Sequence, residues 1–404
     1  MHSAPIFLCI STSFKGNDFL QSCKDAGNIV FLLTDRKLES KPWIRTHIDE
    51  IFYLDADSDG IFNDKEMLSG IARITQKHPI SRVIALDDFD IEKAALIREH
   101  FRIPGMGQTT ARYFRDKLAM RMRAREAGVR VPGFCALFND QEITEFIDNH
   151  MGPWMIKPRS EASSQGIQKL QTREEVWEAI HALQENRHLY LLEQYKAGHV
   201  YHIDSLSLEG RVIFSWANQY LAPPFDIAHG GGIFQSVTVL HDTAEARALE
   251  TITVDVLKAF GMQHSASHTE VIHCSEDGHY YFLETSSRVG GAYLANMIEA
   301  ASGINLWKEW ARMETALVNG TQFRLPRIRW EYAGILISLA NQPHPDTSVF
   351  NCPELVWKME EEYHVGLVIQ STQQSRILSL LSEFATIVAK DYHATLPPRG
   401  KNVH

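Results

Sequence analysis

Short apolar runs and amphipathic stretches alternate through the N-terminal quarter of the chain. Ala4–Ile10, Asn28–Leu33 and Ser81–Leu86 read as buried strands, the second ending in Thr34-Asp35 and the third in Asp87-Asp88, and Ile51–Leu54 reads as one more. Between them Asn17–Ala26, Ile61–Gln76 and Ile91–Phe101 carry apolar residues at helical spacing. Apolar strands separated by helices predict a doubly wound α/β unit around a buried parallel sheet. No G-x-G-x-x-G follows the first strand, where STSFKGN stands, so a dinucleotide site has little support.

The pattern changes after Pro104-Gly105. Thr109–Ala127 reads as one basic helix, stopped by Gly128 and followed by Val131-Pro132. Beyond it the order is α+β. Trp154–Lys157, Gly166–Leu170 and Leu189–Glu193 read as strands, and Thr172–Glu185 as a helix. Val200–Leu208 and Arg211–Gln219 form a hairpin around Glu209-Gly210. Ala222–Gly232 is a Pro- and Gly-rich loop, and Thr243–Phe260 is a helix. His268–His273 and Tyr280–Glu284 form a second hairpin. After Trp330 comes a smaller α+β tail, with strands near Gly334–Leu339 and Gly366–Ile369 and a helix over Arg376–Ala389.

Composition narrows the function classes. The chain has 404 residues, 44% of them apolar and 22% charged, which suits a soluble protein of two or three domains. A net charge of −10 argues against a nucleic-acid binder, though not against an anionic substrate. The five cysteines include no C-x-x-C pair and are odd in number, which disfavours a disulfide framework and suits a reducing cytoplasm. The N-terminus lacks a basic leader pattern and reads as the first buried strand. No run approaches the ~18 apolar residues of a membrane span, so no membrane partner is expected.

Three stretches carry candidate chemistry. In PWMIKPRSEASSQGIQKL a buried strand ends in Lys157, and a loop with Ser160, Ser163, Ser164 and Gln165 leads to Gly166. Such a lysine can meet a phosphate, and a loop of small residues offers it N–H and O–H donors. A plain hairpin with a snorkelling lysine has the same composition. In LLEQYKAGHVYHID the strand is left through Glu193, Gln194, Tyr195 and Lys196, an extended segment able to bond an adenine edge; a strand edge facing water reads the same way.

In HSASHTEVIHCSEDGHYYFLETSSRVGG, Glu270 lies on one hairpin strand and Glu284 at the end of the other. Two carboxylates facing one cleft repel unless a cation sits between them. Magnesium suits hard oxygen ligands completed by phosphates. Arg288 would neutralise charge on a transferring phosphoryl group. Gly290 and Gly291 permit close backbone approach, ahead of a helix starting at Ala292 whose N-terminus favours anions. A rival zinc site of His264, His268 and Glu270 needs a helical facing that this strand-leading stretch does not offer. Cys274 nearby reads as a small core residue. Asp87, Asp88 and Asp90 either cap the following helix or face the same cleft.

In their order and spacing these stretches resemble the ATP-grasp superfamily, in its carboxylate–amine (L-amino acid) ligase branch. RDKLAMRMRAREAGVRVPGF is similar to the family's leading helix, with Lys117 as the first lysine on the ATP phosphates. WMIKPRSEASSQGI is similar to the strand with the second lysine, Lys157, and the phosphate-covering loop of Ser163, Ser164, Gln165 and Gly166. LLEQYKAG is similar to the adenine hinge, with Glu193, Gln194 and Lys196 as ATP contacts. The family's acid after the hinge would fall on Val200, leaving His199 or His202 for the ribose, while Asp204 keeps its position. HTEVI and FLETSSRVGG are similar to the paired metal-binding strands, with Glu270 and Glu284 as ligands and Ser286 where the family usually has asparagine.

The resemblance spans roughly Ala4 to Val318. It implies an α/β N-terminal (pre-ATP-grasp, Rossmann-like) domain over 1–106 followed by α+β ATP-grasp domains: a small lobe over 107–195 and a large lobe over 196–325. An α+β extension over 326–404 would pack on the large lobe. It further implies a ligase that uses ATP and Mg2+ (Mn2+ as an alternative) to join a small carboxylate to an amine through an acyl phosphate, with Arg288 catalytic. The substrate pocket would draw on His229 and Gly231 of the loop YLAPPFDIAHGGGIFQSV, on Arg288, Gly290 and Gly291, and on Tyr220 and Phe225. Such ligases are often homodimers. Ser286 and Val200 keep open an ATP-binding protein without turnover, and a carboxylase acting through carboxyphosphate uses the same grasp.

Overall fold

The computed structural model describes residues 4–57, 61–161 and 165–395. Strands β1 (Ile6–Ser11), β2 (Ile29–Asp35), β3 (Glu50–Leu54) and β4 (Ile80–Ala85) form a parallel sheet in the order β3-β2-β1-β4. β1 is buried along its whole length, as a strand covered on both faces must be. β1 and β4 are neighbours whose C-terminal ends open on the same side, so the loop after β1 and the turn Asp88–Asp90 stand next to one another. In parallel α/β sheets ligands collect at such ends.

The small lobe is an antiparallel sheet of β5 (Phe134–Ala136), β6 (Trp154–Pro158), β7 (Gln168–Leu170) and β8 (Tyr190–Gln194), in the order β5-β8-β6-β7. The large lobe is an eight-stranded sheet, β13-β12-β9-β10-β11-β14-β16-β15. Its strands are β9 (Gly198–Leu208), β10 (Arg211–Tyr220), β11 (Phe234–Thr238), β12 (Ser265–Cys274), β13 (Tyr280–Ser286), β14 (Tyr332–Leu339), β15 (Leu355–Lys358) and β16 (His364–Ser371). The tail strands β14–β16 therefore continue the large-lobe sheet through the β11–β14 pairing.

The N-terminal domain is docked on the large lobe by a shared core. Phe19 and Leu20 of the helix Asn17–Asp25 share a buried cluster with Ile298, Trp310 and Leu206. The Phe19 and Trp310 rings meet edge-on at 5.0 Å. Asn28 donates to Thr315 across the same seam at 2.7 Å, and Arg82 pairs with Glu314 at 3.2 Å. This docking carries the turn after β4 to the end of β13.

Three expectations are corrected. The basic stretch is two helices, Gln108–Arg112 and Lys117–Glu126, because the Asp116 carboxylate caps a new start by accepting from the Leu118 and Ala119 amides. The loop Ala222–Gly232 contains a short helix, Pro224–Gly230, begun by a proline whose missing N–H costs nothing in a first turn. The helix expected from Ala292 starts at Leu294, since Ala292 and Tyr293 both hold left-handed backbone, with φ of 49° and 53°.

Candidate active site

Strand alternation puts the site on one face of the large-lobe sheet. On β9 the residues Val200, His202 and Asp204 share a face, and their β12 partners are Ile272, Glu270 and His268 in turn. Glu270 in turn opposes Glu284 on β13. The register then slips, with Val271 opposite Phe282, so that Leu283 is the extra residue of a bulge. The bulge interrupts the ladder immediately beside the pair of carboxylates, and Leu283 packs beside Val200 and Ile272.

Lys117 opens the second of the two helices and reaches across to Glu284 at 2.9 Å, while also donating to the Glu161 carbonyl at 2.6 Å. Against the upward push of burial, the Lys117 charge holds the Glu284 carboxyl below its usual range. Glu270 accepts from the Tyr220 hydroxyl at 3.0 Å. The pair Glu270 and Glu284 fits a hard divalent cation: both are carboxylates, they face each other across one register, and an ammonium already stands against one of them.

Ser286 is bound differently from the expectation. Its hydroxyl donates to Asp88, and Arg288 grips the other oxygen of the same carboxylate, through Nε at 2.7 Å and through a second guanidinium nitrogen. Burial opposes ionisation of Asp88, but the Arg288 charge prevails and holds it well below the carboxylate range. Of the three acids after β4, Asp87 and Asp88 line the cleft. Asp87 caps the turn at Phe89 and pairs with Lys15 at 2.5 Å. Asp90 is buried and accepts from the Thr12 amide at 3.0 Å.

Behind the acids lies a buried polar triad. Asp204 accepts from His202 at 2.7 Å and from His268 at 2.9 Å, and the other His202 nitrogen meets Ser236 at 2.7 Å. Burial lowers the His268 pKa, yet Asp204 raises it further, to about 9. His202 is driven down by its burial. With both nitrogens engaged, His202 is not placed to meet a ribose. His199 is not either: it is exposed on the opposite face of β9 from Val200, opposite His273. The zinc grouping also dissolves, because the His264 ring accepts from the Glu209 amide at the far end of the sheet.

On the facing lobe, Lys157 ends at Glu193, with Nζ 2.9 Å from one carboxylate oxygen. Glu193 is itself buried, and its other oxygen takes Arg121 at 2.9 Å. Burial resists its charge, but Arg121 and then Lys157 keep it ionised. Glu193 thus orients Lys157 and has no oxygen turned to an adenine or a ribose. Arg121, 1% exposed, was not singled out in the sequence; it also donates to the Leu283 carbonyl at the bulge. Of the hinge donors, the Gln194 and Tyr195 amides are spent on the Gly133 and Pro153 carbonyls. Lys196 pairs with Asp277 at 3.5 Å.

Two spaces result. An apolar slot between the lobes is walled by Met155, Val200, Phe225, Ile272 and Leu283, with Glu193, Gln194 and Lys196 at its rim. Beside it a cavity of about 600 Å³ joins Lys117, Glu270, Glu284, Ser286, Arg288 and Gly291 to Lys15, Asp88 and Phe89 of the N-terminal domain. Gln165 lines a smaller recess at Lys157, and Gly166 takes a φ of 68° next to it. Gly290 turns away from the cavity: a Cβ there would stand 2.7 Å from Asp204 Oδ1. Gly231 faces Thr395 instead, at 2.6 Å by the same measure. Ser163, Ser164 and the His229 side chain lie outside the described residues.

No family model matches the chain. It is 25% identical over 250 residues to the L-arginine-specific L-amino acid ligase of Bacillus subtilis; the match covers 60% of this chain, which spans about three fifths (59%) of that relative's length. Among solved structures it resembles the L-amino acid ligase of Bacillus licheniformis, with a TM-score of 0.74, 16% identity, and coverage of 98% of this chain and 100% of that one. It also resembles the biotin carboxylase domain of 2-oxoglutarate carboxylase from Hydrogenobacter thermophilus, described with MgADP, ADP and bicarbonate, with a TM-score of 0.71, 15% identity, and coverage of 98% and 91%. Among the described residues no helix is long and apolar enough to cross a membrane.

Proposed function

We propose that the chain is an ATP-dependent carboxylate–amine ligase of the ATP-grasp type, joining an amino acid or small carboxylic acid to an amine. One observation carries the reading. Two carboxylates, Glu270 and Glu284, oppose each other across a strand register with Lys117 against one of them, and Lys157 approaches from the other lobe. The adenine of ATP takes the apolar slot, and its phosphates run toward Lys117 and Lys157. Glu270 and Glu284 would hold magnesium, which offsets phosphate charge when bound.

The protein's own residues then position and neutralise. Lys117 leaves Glu284 for phosphate oxygens, and Lys157 pivots on Glu193. A substrate carboxylate oxygen attacks the γ-phosphorus, the bond to the β,γ-bridging oxygen breaks, and ADP departs. An amine nitrogen adds to the acyl carbon, losing a proton, and phosphate leaves. Arg288, held by Asp88, faces the oxygen that becomes negative in that step. Closure of the lobes excludes the water that would hydrolyse the acyl phosphate.

The test is isotopic. A substrate acid labelled with 18O in its carboxylate should transfer one label to inorganic phosphate during turnover. Phosphate without label during amide formation would rule out the acyl phosphate.

A further inference from the structure

Five cationic or cation-forming side chains line the large cavity: Lys15, Arg115, Lys117, His268 and Arg288. Four have a carboxylate partner. Lys15 has Asp87, Lys117 has Glu284, His268 has Asp204 and Arg288 has Asp88. Arg115 is the exception among the described residues. It is 9% exposed, its guanidinium has no hydrogen bond or ion pair, and its contact is with the face of Phe89, whose ring centre lies 4.4 Å from Cζ. Phe89 is 46% exposed, at the tip of the turn between Asp88 and Asp90.

The guanidinium borders the cavity, where no carboxylate among the described residues neutralises it and an incoming anion would. Stacking on Phe89 uses its face and leaves its N–H edge, a fork matched to a carboxylate, turned to the cavity. We propose that Arg115, braced by Phe89, binds a second, non-reacting carboxylate on one of the two substrates. The inference rests on the ligase reading. The reacting carboxylate belongs beside Glu270, Glu284 and Arg288. Arg115 stands against Phe89 of the N-terminal domain and has no contact with any of those three. An amino acid acting as the amine would bring such a group, and so would a dicarboxylic acid acting as the acid.

The experiment compares wild type with Arg115→Gln in ADP formation. One series pairs amino acids with their amides as the amine; the other pairs dicarboxylic acids with their half-amides as the acid. In wild type, kcat/KM for the carboxylate-bearing member of one series should exceed that for its amide at least tenfold. In Arg115→Gln that ratio should fall toward one, and the series in which it falls names the source. An unchanged ratio in both series, or a variant whose main defect is a raised KM for ATP, would overturn the proposal, the latter because the guanidinium would then be a phosphate contact. If wild type forms no ADP with any pair, the ligase reading fails. The site is then judged by titrating protein in MgADP with succinate and succinamide: tighter succinate binding, lost in Arg115→Gln, supports it, and equal binding overturns it. If Arg115→Gln does not fold, Arg115→Lys keeps the charge without the fork and should show a smaller drop in the ratio; no drop overturns the proposal.

Discussion

Asp88 in the turn after β4 and Arg288 just past β13 are 200 positions apart in the chain and joined at 2.7 Å. The contact exists because the N-terminal domain shares a core with the large lobe, and it brings the first domain into the candidate site. Asp88→Asn should keep the shape and lose the charge that anchors Arg288. The expected result is a kcat about 10- to 100-fold lower, the scale of an impaired oxyanion contact, with KM for ATP within about twofold. Because the folded state depresses the Asp88 pKa, its stabilising effect is full above the ordinary carboxylate range and fades as pH falls through it. Melting curves of wild type and Asp88→Asn should therefore differ at pH 7 and converge in strong acid.

Arg121 supports Lys157 through Glu193. Arg121→Met would leave a carboxylate buried with one partner fewer, and breaking such a group typically costs about 3–5 kcal/mol. The variant should melt lower, and where it folds, KM for ATP should rise more than kcat falls. Steady-state kinetics with ATP varied checks the split.

Asp90 titrates in the opposite sense to Asp88. Burial, and then the Asp87 charge, push it up to about 7, and its Oδ1 has no partner. The fold then holds a proton that the unfolded chain releases near pH 4, so Asp90 costs stability as pH rises from there to about 7. Asp90→Asn removes this cost. Its melting temperature should exceed wild type at pH 8, with a gain that shrinks at pH 5. A gain independent of pH would contradict the buried-proton explanation.

Gly290 has no side chain because Asp204 and His268 fill that space. In Gly290→Ala the new Cβ would lie 2.7 Å from Asp204 Oδ1 and 2.9 Å from His268 Nδ1. Overpacking of this kind costs about 1–3 kcal/mol. A lower melting temperature is expected, together with reduced turnover, since the shifted triad adjoins Glu270 and Arg288. A melting temperature equal to wild type would show that the triad yields freely.

The sequence made local chemistry legible where a strand ended in it: Lys157 and Glu284 stand near strand ends that the apolar runs mark, and Glu270 is found mid-strand as the partner of Glu284. The acid face of the large lobe follows from alternation, and the same alternation, counted from Val200, already turns His199 away. Other features were hidden. Arg121 sits in RMRARE among arginines of ordinary surface appearance, and its burial depends on which side of the helix meets the bulge at Leu283. Asp88 looks like one more capping aspartate until the domains dock. The split in the basic stretch had a local signal, an aspartate directly before Lys117, but helical spacing on both sides masked it.

The central claim is most directly tested by following ADP formation with Mg2+, ATP and pooled amino acids and small carboxylates, for wild type beside Glu284→Gln, with the product identified by mass spectrometry. The expected result is ADP in step with an amide of one acid and one amine, stopped by chelating the metal and reduced at least 100-fold in Glu284→Gln, in line with loss of charge stabilisation at the transferring group. ADP formed equally by wild type and variant, or ADP with no amide from any pool, would contradict it.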